Sequence, residues 1–211
     1  MQKCEGRRRP RLMICSTGPF TQLPIHAAGT KDEGCSDYFV PSYTPTLGVL
    51  LAGRRNYQPI RRADARVLLA AVPKPFKWAH LPYAVQEVEH IKNVVPEQQF
   101  ISIPSNVGPD SGGTDNASST DVLSNLPGAT ILHLACHGHH DAANALNSGF
   151  VMRDNMLTVT QLMKLNLPNS FLAFLSACET AKSAEAQPDQ AIHLAATMLF
   201  AGFKSVIGTM W

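Results

Sequence analysis

An α/β sandwich, with helices on both faces of a mainly parallel sheet, is predicted by three features of this sequence. Four near-continuous apolar runs recur along it, helical patterns fill the intervals, and two of the runs end in residues that carry chemistry. Uninterrupted apolar strands are what a parallel sheet covered on both faces demands. Alternating strand and helix then sets the class.

The elements follow in chain order. The segment through Ala63 is rich in Pro and Gly and holds one helical candidate, Leu47 to Arg55. Arg66 to Val72 reads as the first core strand. In Leu81 to Val95, the residues Val85, Val88, Ile91 and Val95 recur at three or four positions, the spacing of one helix face. Asn106 to Thr120 lacks an apolar period and is crowded with Gly, Ser, Asn and Asp, so residues 106–120 are expected to be a flexible loop insertion. Thr130 to Ala135 and Phe171 to Leu175 are the second and third strands. Lys182 to Pro188 is read as a loop. Asp189 to Ala201 repeats the helical spacing, with Gly202 as its stop. Ser205 to Gly208 closes the series.

Bulk properties set outer limits. A chain of 211 residues that is 45% hydrophobic and 16% charged suits a single domain of ordinary core size, spanning 1–211. Eighteen basic and sixteen acidic side chains leave a formal charge of +2, too balanced for a nucleic-acid partner. The one basic run, Arg7 to Arg11, is read as a solvated tail. No secretory signal is recognised at the N-terminus, and no stretch approaches the roughly 18 apolar residues that a membrane-spanning helix needs, so no membrane association is expected. Five cysteines without the regular spacing of a disulfide scaffold point to a reduced, cytoplasmic setting.

The chemistry gathers at two strand ends. In ILHLACHGHHD (Ile131 to Asp141) an apolar strand delivers His137 and Gly138; in FLSACET another delivers Cys178. Ligands of open parallel sheets bind beyond the carboxyl ends of the strands. If the two strands are neighbours, a thiol and an imidazole meet there, which is what nucleophilic cysteine catalysis requires. His137 would take the thiol proton and return it to the leaving amine. Gly138 and the N–H of Cys178 would form an oxyanion hole, since a residue without Cβ lets a substrate carbonyl approach closely. The order His before Cys is opposite to that of papain-like enzymes.

Neighbouring residues have plainer readings. Cys136 should point to the opposite face of its strand, into the core; His133 alternates in the same way and is expected to hydrogen-bond within the sheet. Cys136, His137, His139 and His140 invite a zinc reading, but four ligands within five residues cannot readily surround one ion tetrahedrally, so no metal is assigned. No cofactor is expected. His139, His140 and Asp141 are read as shaping the loop over the dyad, and His193 as structural. Glu179 would tune the adjacent thiol according to where its carboxylate points.

HLACHG, LSACET and PDQAIHLAATMLFAGFKSVIGTMW together resemble the CHAT family, a caspase-like peptidase domain often attached to tetratricopeptide repeats. STGPFTQLPIHAAG and VPSYTPTLGVLLAGRR resemble the segments that open such domains. The resemblance implies a caspase-like three-layer α/β/α fold, related to caspases, gingipains and separase, with His137 and Cys178 as the dyad. It implies a cysteine endopeptidase acting on a protein or peptide substrate, with a regulatory repeat domain or partner protein. The alternative is a catalytically silent interaction module. Asp189 stands where the family carries an acidic residue near its specificity pocket, but Gln190 replaces the second acidic side chain. Similar domains continue past the position of Trp211, so a shortened C-terminal end is expected here.

Overall fold

The structure, a computed structural model, describes residues 9–55, 57–101, 103, 117–141, 143–177 and 194–209. β1 (Arg11–Ile14) pairs in parallel with β2 (Val40–Tyr43), and α1 (Cys35–Tyr38) precedes β2 in the chain. After α2 (Leu47–Arg55) the central sheet begins with β3 (Val67–Ala71). It continues through α3 (Pro82–Val94), β4 (Phe100–Ile101), α4 (Ser119–Asn125) and β5 (Ile131–Ala135).

A small antiparallel sheet follows, made of β6 (His137–His139), β7 (Gly149–Val151) and β8 (Met156–Thr158). Then come α5 (Val159–Leu162), β9 (Leu172–Ser176), α6 (Leu194–Ala201) and β10 (Ser205–Gly208).

The central sheet has the order β10-β9-β5-β3-β4, and every pair in it is parallel. All four predicted core strands are present. Alternation along each strand sorts the side chains onto two faces. Leu68, Leu132, Leu134, Ala173 and Leu175 join one buried cluster with Val122 and Leu126, Val159 and Leu162, and Leu194 and Met198, from α4 and its C-cap, α5 and α6 respectively. α3 packs on β3 and β5, with Glu87 reaching His133 of β5, which points away from that cluster. These layers make the expected caspase-like α/β/α sandwich.

Local chemistry fixes the element ends. The hydroxyl of Ser118 accepts from the Asp121 N–H at 3.0 Å and caps α4. The loop expected over 106–120 therefore ends early, because Ser119 and Thr120 already belong to the helix; residues 106–116 lie outside the described residues. At α5, the Gln161 N–H donates to Thr158 Oγ1 at 3.3 Å and the Thr158 N–H to Gln161 Oε1 at 2.9 Å, a reciprocal capping box. α6 is apolar all round, which suits a helix with five of its eight residues buried. It stops at Gly202, as the sequence predicts: φ there is +123°, and the Phe203 N–H donates to the Met198 carbonyl at 3.1 Å.

Candidate active site

The two strands that carry the candidate dyad are neighbours. β5 and β9 run parallel in a register that pairs Ala135 with Ser176, and the Cys136 N–H adds one more bond, to the Ser176 carbonyl at 3.3 Å. His137 follows Ala135 by two residues, as Cys178 follows Ser176. Cys178 itself lies outside the described residues, as do Glu179, Asp189, Gln190 and His193.

His137 and Gly138 are not in a loop. They open β6, with His137 opposite Val151 and Gly138 opposite Phe150. The sequence hides this strand because His-Gly-His has no apolar alternation to reveal it.

Around His137 the chain builds a second wall from the loop after β3. The Leu81 N–H closes this loop on the Pro73 carbonyl at 2.8 Å, and Lys77 takes the left-handed conformation at φ 65°. That turn presents Trp78 and the Ala79 carbonyl. The Trp78 ring lies 5.6 Å from the His137 ring at an interplanar angle of 31°, and meets His139 edge-on at 5.5 Å.

His137 Nε2 is 2.7 Å from the Ala79 carbonyl oxygen. A carbonyl only accepts, so Nε2 carries the proton and the lone pair of the neutral ring sits on Nδ1. A backbone oxygen thereby selects the tautomer and fixes which nitrogen can act as a base. Trp78 and Ala79 escape a reading of the sequence, the second because any residue could supply that carbonyl.

The remaining histidines and cysteines divide clearly. Cys136 is buried in the core, and burial pushes its thiol up to about 12. Asp141 organises the turn after β6, accepting from the N–H groups of Ala143 at 2.9 Å and Asn144 at 3.0 Å, bonds that hold its carboxyl below the usual range. His140 keeps Nε2 buried with no hydrogen bond among the described residues. Among the same residues, no three His, Cys, Asp or Glu side chains converge as a metal site would need.

His133 is buried and stacks on Phe174 of β9, ring centroids 5.0 Å apart and 17° from parallel. Its polar contact is not within the sheet. Nε2 lies 3.2 Å from Oε1 of Glu87 on α3. Ser176 donates its hydroxyl to the other oxygen, Oε2, at 2.9 Å. A cleft of about 490 Å³ opens beside this group. Burial lowers the His133 pKa, an effect that Glu87 partly offsets.

No helix among the described residues is long and apolar enough to cross a membrane. A family model described as CHAT domain matches residues 1–211, the whole chain. No curated protein sequence matches it.

Proposed function

The chain belongs to the CHAT domain family, a caspase-like, peptidase-related class, and from that premise we propose that it is a cysteine endopeptidase cleaving a protein or peptide substrate with Cys178 and His137. One observation supports this most: the register of β5 against β9, which brings two adjacent strand ends to within two residues of an imidazole and a thiol.

The chemistry follows from the tautomer. Nδ1 of His137 takes the thiol proton of Cys178, and the imidazolium that forms is stabilised by the Ala79 carbonyl at its Nε2–H. The thiolate attacks the scissile carbonyl carbon, and the N–H groups of Gly138 and Cys178 receive the oxyanion. Collapse breaks the C–N bond, and His137 passes its proton to the departing amine. The thioester left on Cys178 is hydrolysed by a water that gives a proton to Nδ1 as its oxygen adds. Breakdown releases the acid and returns the proton to the thiol.

Asp189 supplies the acidic contact of the specificity pocket in this reading. A reduced cytoplasmic compartment and a regulatory repeat partner complete it. Gln190, standing where the family has a second acidic side chain, favours a second reading, a silent interaction module.

One experiment separates the two. The chain is incubated with a complex peptide mixture, and new amino termini are identified by mass spectrometry. The peptidase reading expects a consistent set of termini, lost in Cys178→Ala and reduced roughly 10²–10⁴-fold in folded His137→Ala, the contribution of a general base. A folded wild-type chain that produces none supports the silent module.

A further inference from the structure

Glu87 is out of place on stability grounds. It sits on the helix face turned to the sheet, its side chain only one-third exposed, and its two oxygens face His133 on β5 and Ser176 on β9. Each of these strands leads to one member of the proposed dyad. His133 lies four residues before His137, and Ser176 two before Cys178. A half-buried carboxylate held by a hydroxyl and a neighbouring imidazole gives little net stabilisation, and an apolar side chain of similar volume often does as well. The contacts do, however, tie one helix to the middle of β5 and to the end of β9.

One side of Glu87 faces open space. The cleft beside it, lined by Tyr83, Gln86, His90 and Ile91, is open to solvent, and Tyr83 is 76% exposed. Its two oxygens are directed by the Ser176 hydroxyl and by His133. Ser176 is the last paired residue of β9, and the next residue, Ala177, is buried in the core and accepts at its carbonyl from the Thr209 hydroxyl, so these two residues are the last fixed points before Cys178.

We propose that Glu87 is a positioning residue for the nucleophile: through its hydrogen bond from Ser176, and braced against His133, it fixes the end of β9 from which Cys178 departs. The proposal rests on the peptidase reading, and it concerns the geometry of that site rather than its chemistry.

The test uses the full chain and three variants, Glu87→Met, Glu87→Gln and Ser176→Ala. The rate of Cys178 alkylation by iodoacetamide is followed across the neutral pH range, together with thermal midpoints. Glu87→Met keeps the volume and removes the acceptor, and should slow Cys178 by about tenfold, the loss of one hydrogen bond to a charged group, without lowering the midpoint. Labelling of exposed Cys15 should not change. Glu87→Gln retains an acceptor oxygen and should restore most of the rate. Ser176→Ala cuts the same bond from the other side and should match Glu87→Met, which keeps the test valid if the latter fails to fold.

Wild-type rates and pH profiles in folded Glu87→Met and Ser176→Ala would overturn the proposal. So would losses at Cys178 and Cys15 in parallel with a fallen midpoint, which mark a purely structural residue. Backbone hydrogen exchange reads the same link without catalysis: exchange at Ser176 and Ala177 should accelerate in Glu87→Met, while that at Leu172 to Phe174 stays unchanged. Faster exchange there, in a chain whose wild type shows no His137-dependent labelling, would refute the peptidase reading and leave the positioning intact. Unchanged exchange would refute the positioning.

Discussion

Replacing Gly149 by alanine should destabilise the protein through a single backbone contact. A Cβ at this position would lie 2.4 Å from the Leu157 carbonyl oxygen and 2.9 Å from its carbon. Leu157 cannot retreat easily: its side chain is fully buried, and the next residue, Thr158, caps α5. Relief requires β7 and β8 to separate, an overpacking cost of about 2–3 kcal/mol. With a urea dependence of roughly 2–3 kcal/mol/M, the unfolding midpoint should fall by about 1 M. Gly149 also pairs with His139 across β6, so the displacement reaches the strand that begins at His137, and peptide cleavage should fall with stability. Gly53 supplies a control of opposite sign. It lies within α2, and a Cβ there would meet nothing within 4 Å, so Gly53→Ala should raise stability by about 0.5–1 kcal/mol. A Gly149→Ala midpoint within about 0.3 M of wild type would show that β7 and β8 lack this close approach.

Further outcomes are expected elsewhere. Burial holds the His133 pKa below its ordinary 6.5, so as pH falls through that value the unfolded chain takes up a proton that the folded protein does not. Stability should thus decline below about pH 6.5, with a contribution approaching ~1.4 kcal/mol per pH unit. Denaturant titrations at several pH values should find that contribution absent in His133→Asn; an unchanged slope would contradict it. Cys136 should resist iodoacetamide under native conditions and react only after unfolding, as its burial and raised pKa require, which peptide mapping will read. Trp78→Ala removes the ring against His137 and should lower kcat by about threefold to tenfold, the scale of one aromatic pair, with little change in the thermal midpoint.

The fold was legible where burial imposes a pattern. β3, β5 and β9 are covered along much of their length, and their continuous apolar runs betray them, while β10, a mostly exposed edge strand, is betrayed by its short apolar run after Gly202. α3 showed itself through Val85, Val88 and Ile91, and Gly202 marked the end of α6. The small sheet was not legible, since strands of three residues such as Gly149–Val151 are shorter than any window that reveals a period. β1 and β2 were hidden for a similar reason, each being only four residues long, with Pro41 and Ser42 interrupting β2. His137 was visible as a strand-end imidazole, but its partner in the tautomer argument is a backbone carbonyl, which no side chain announces. Glu87 is one polar residue among several on its helix and nothing in the sequence singles it out. Only the pairing of β5 with β9 shows that its carboxylate touches both strands.

Peptidase activity requires that a thiol and an imidazole meet at the ends of β5 and β9. That meeting is tested most directly by treating the folded chain with a peptide-like thiol electrophile at near-neutral pH, mapping the modified cysteine, and repeating the reaction with His137→Ala. Selective modification of Cys178, lost in the variant, is the expected result. Label spread over Cys15 and Cys35, with Cys178 unmodified in a folded chain, would contradict it.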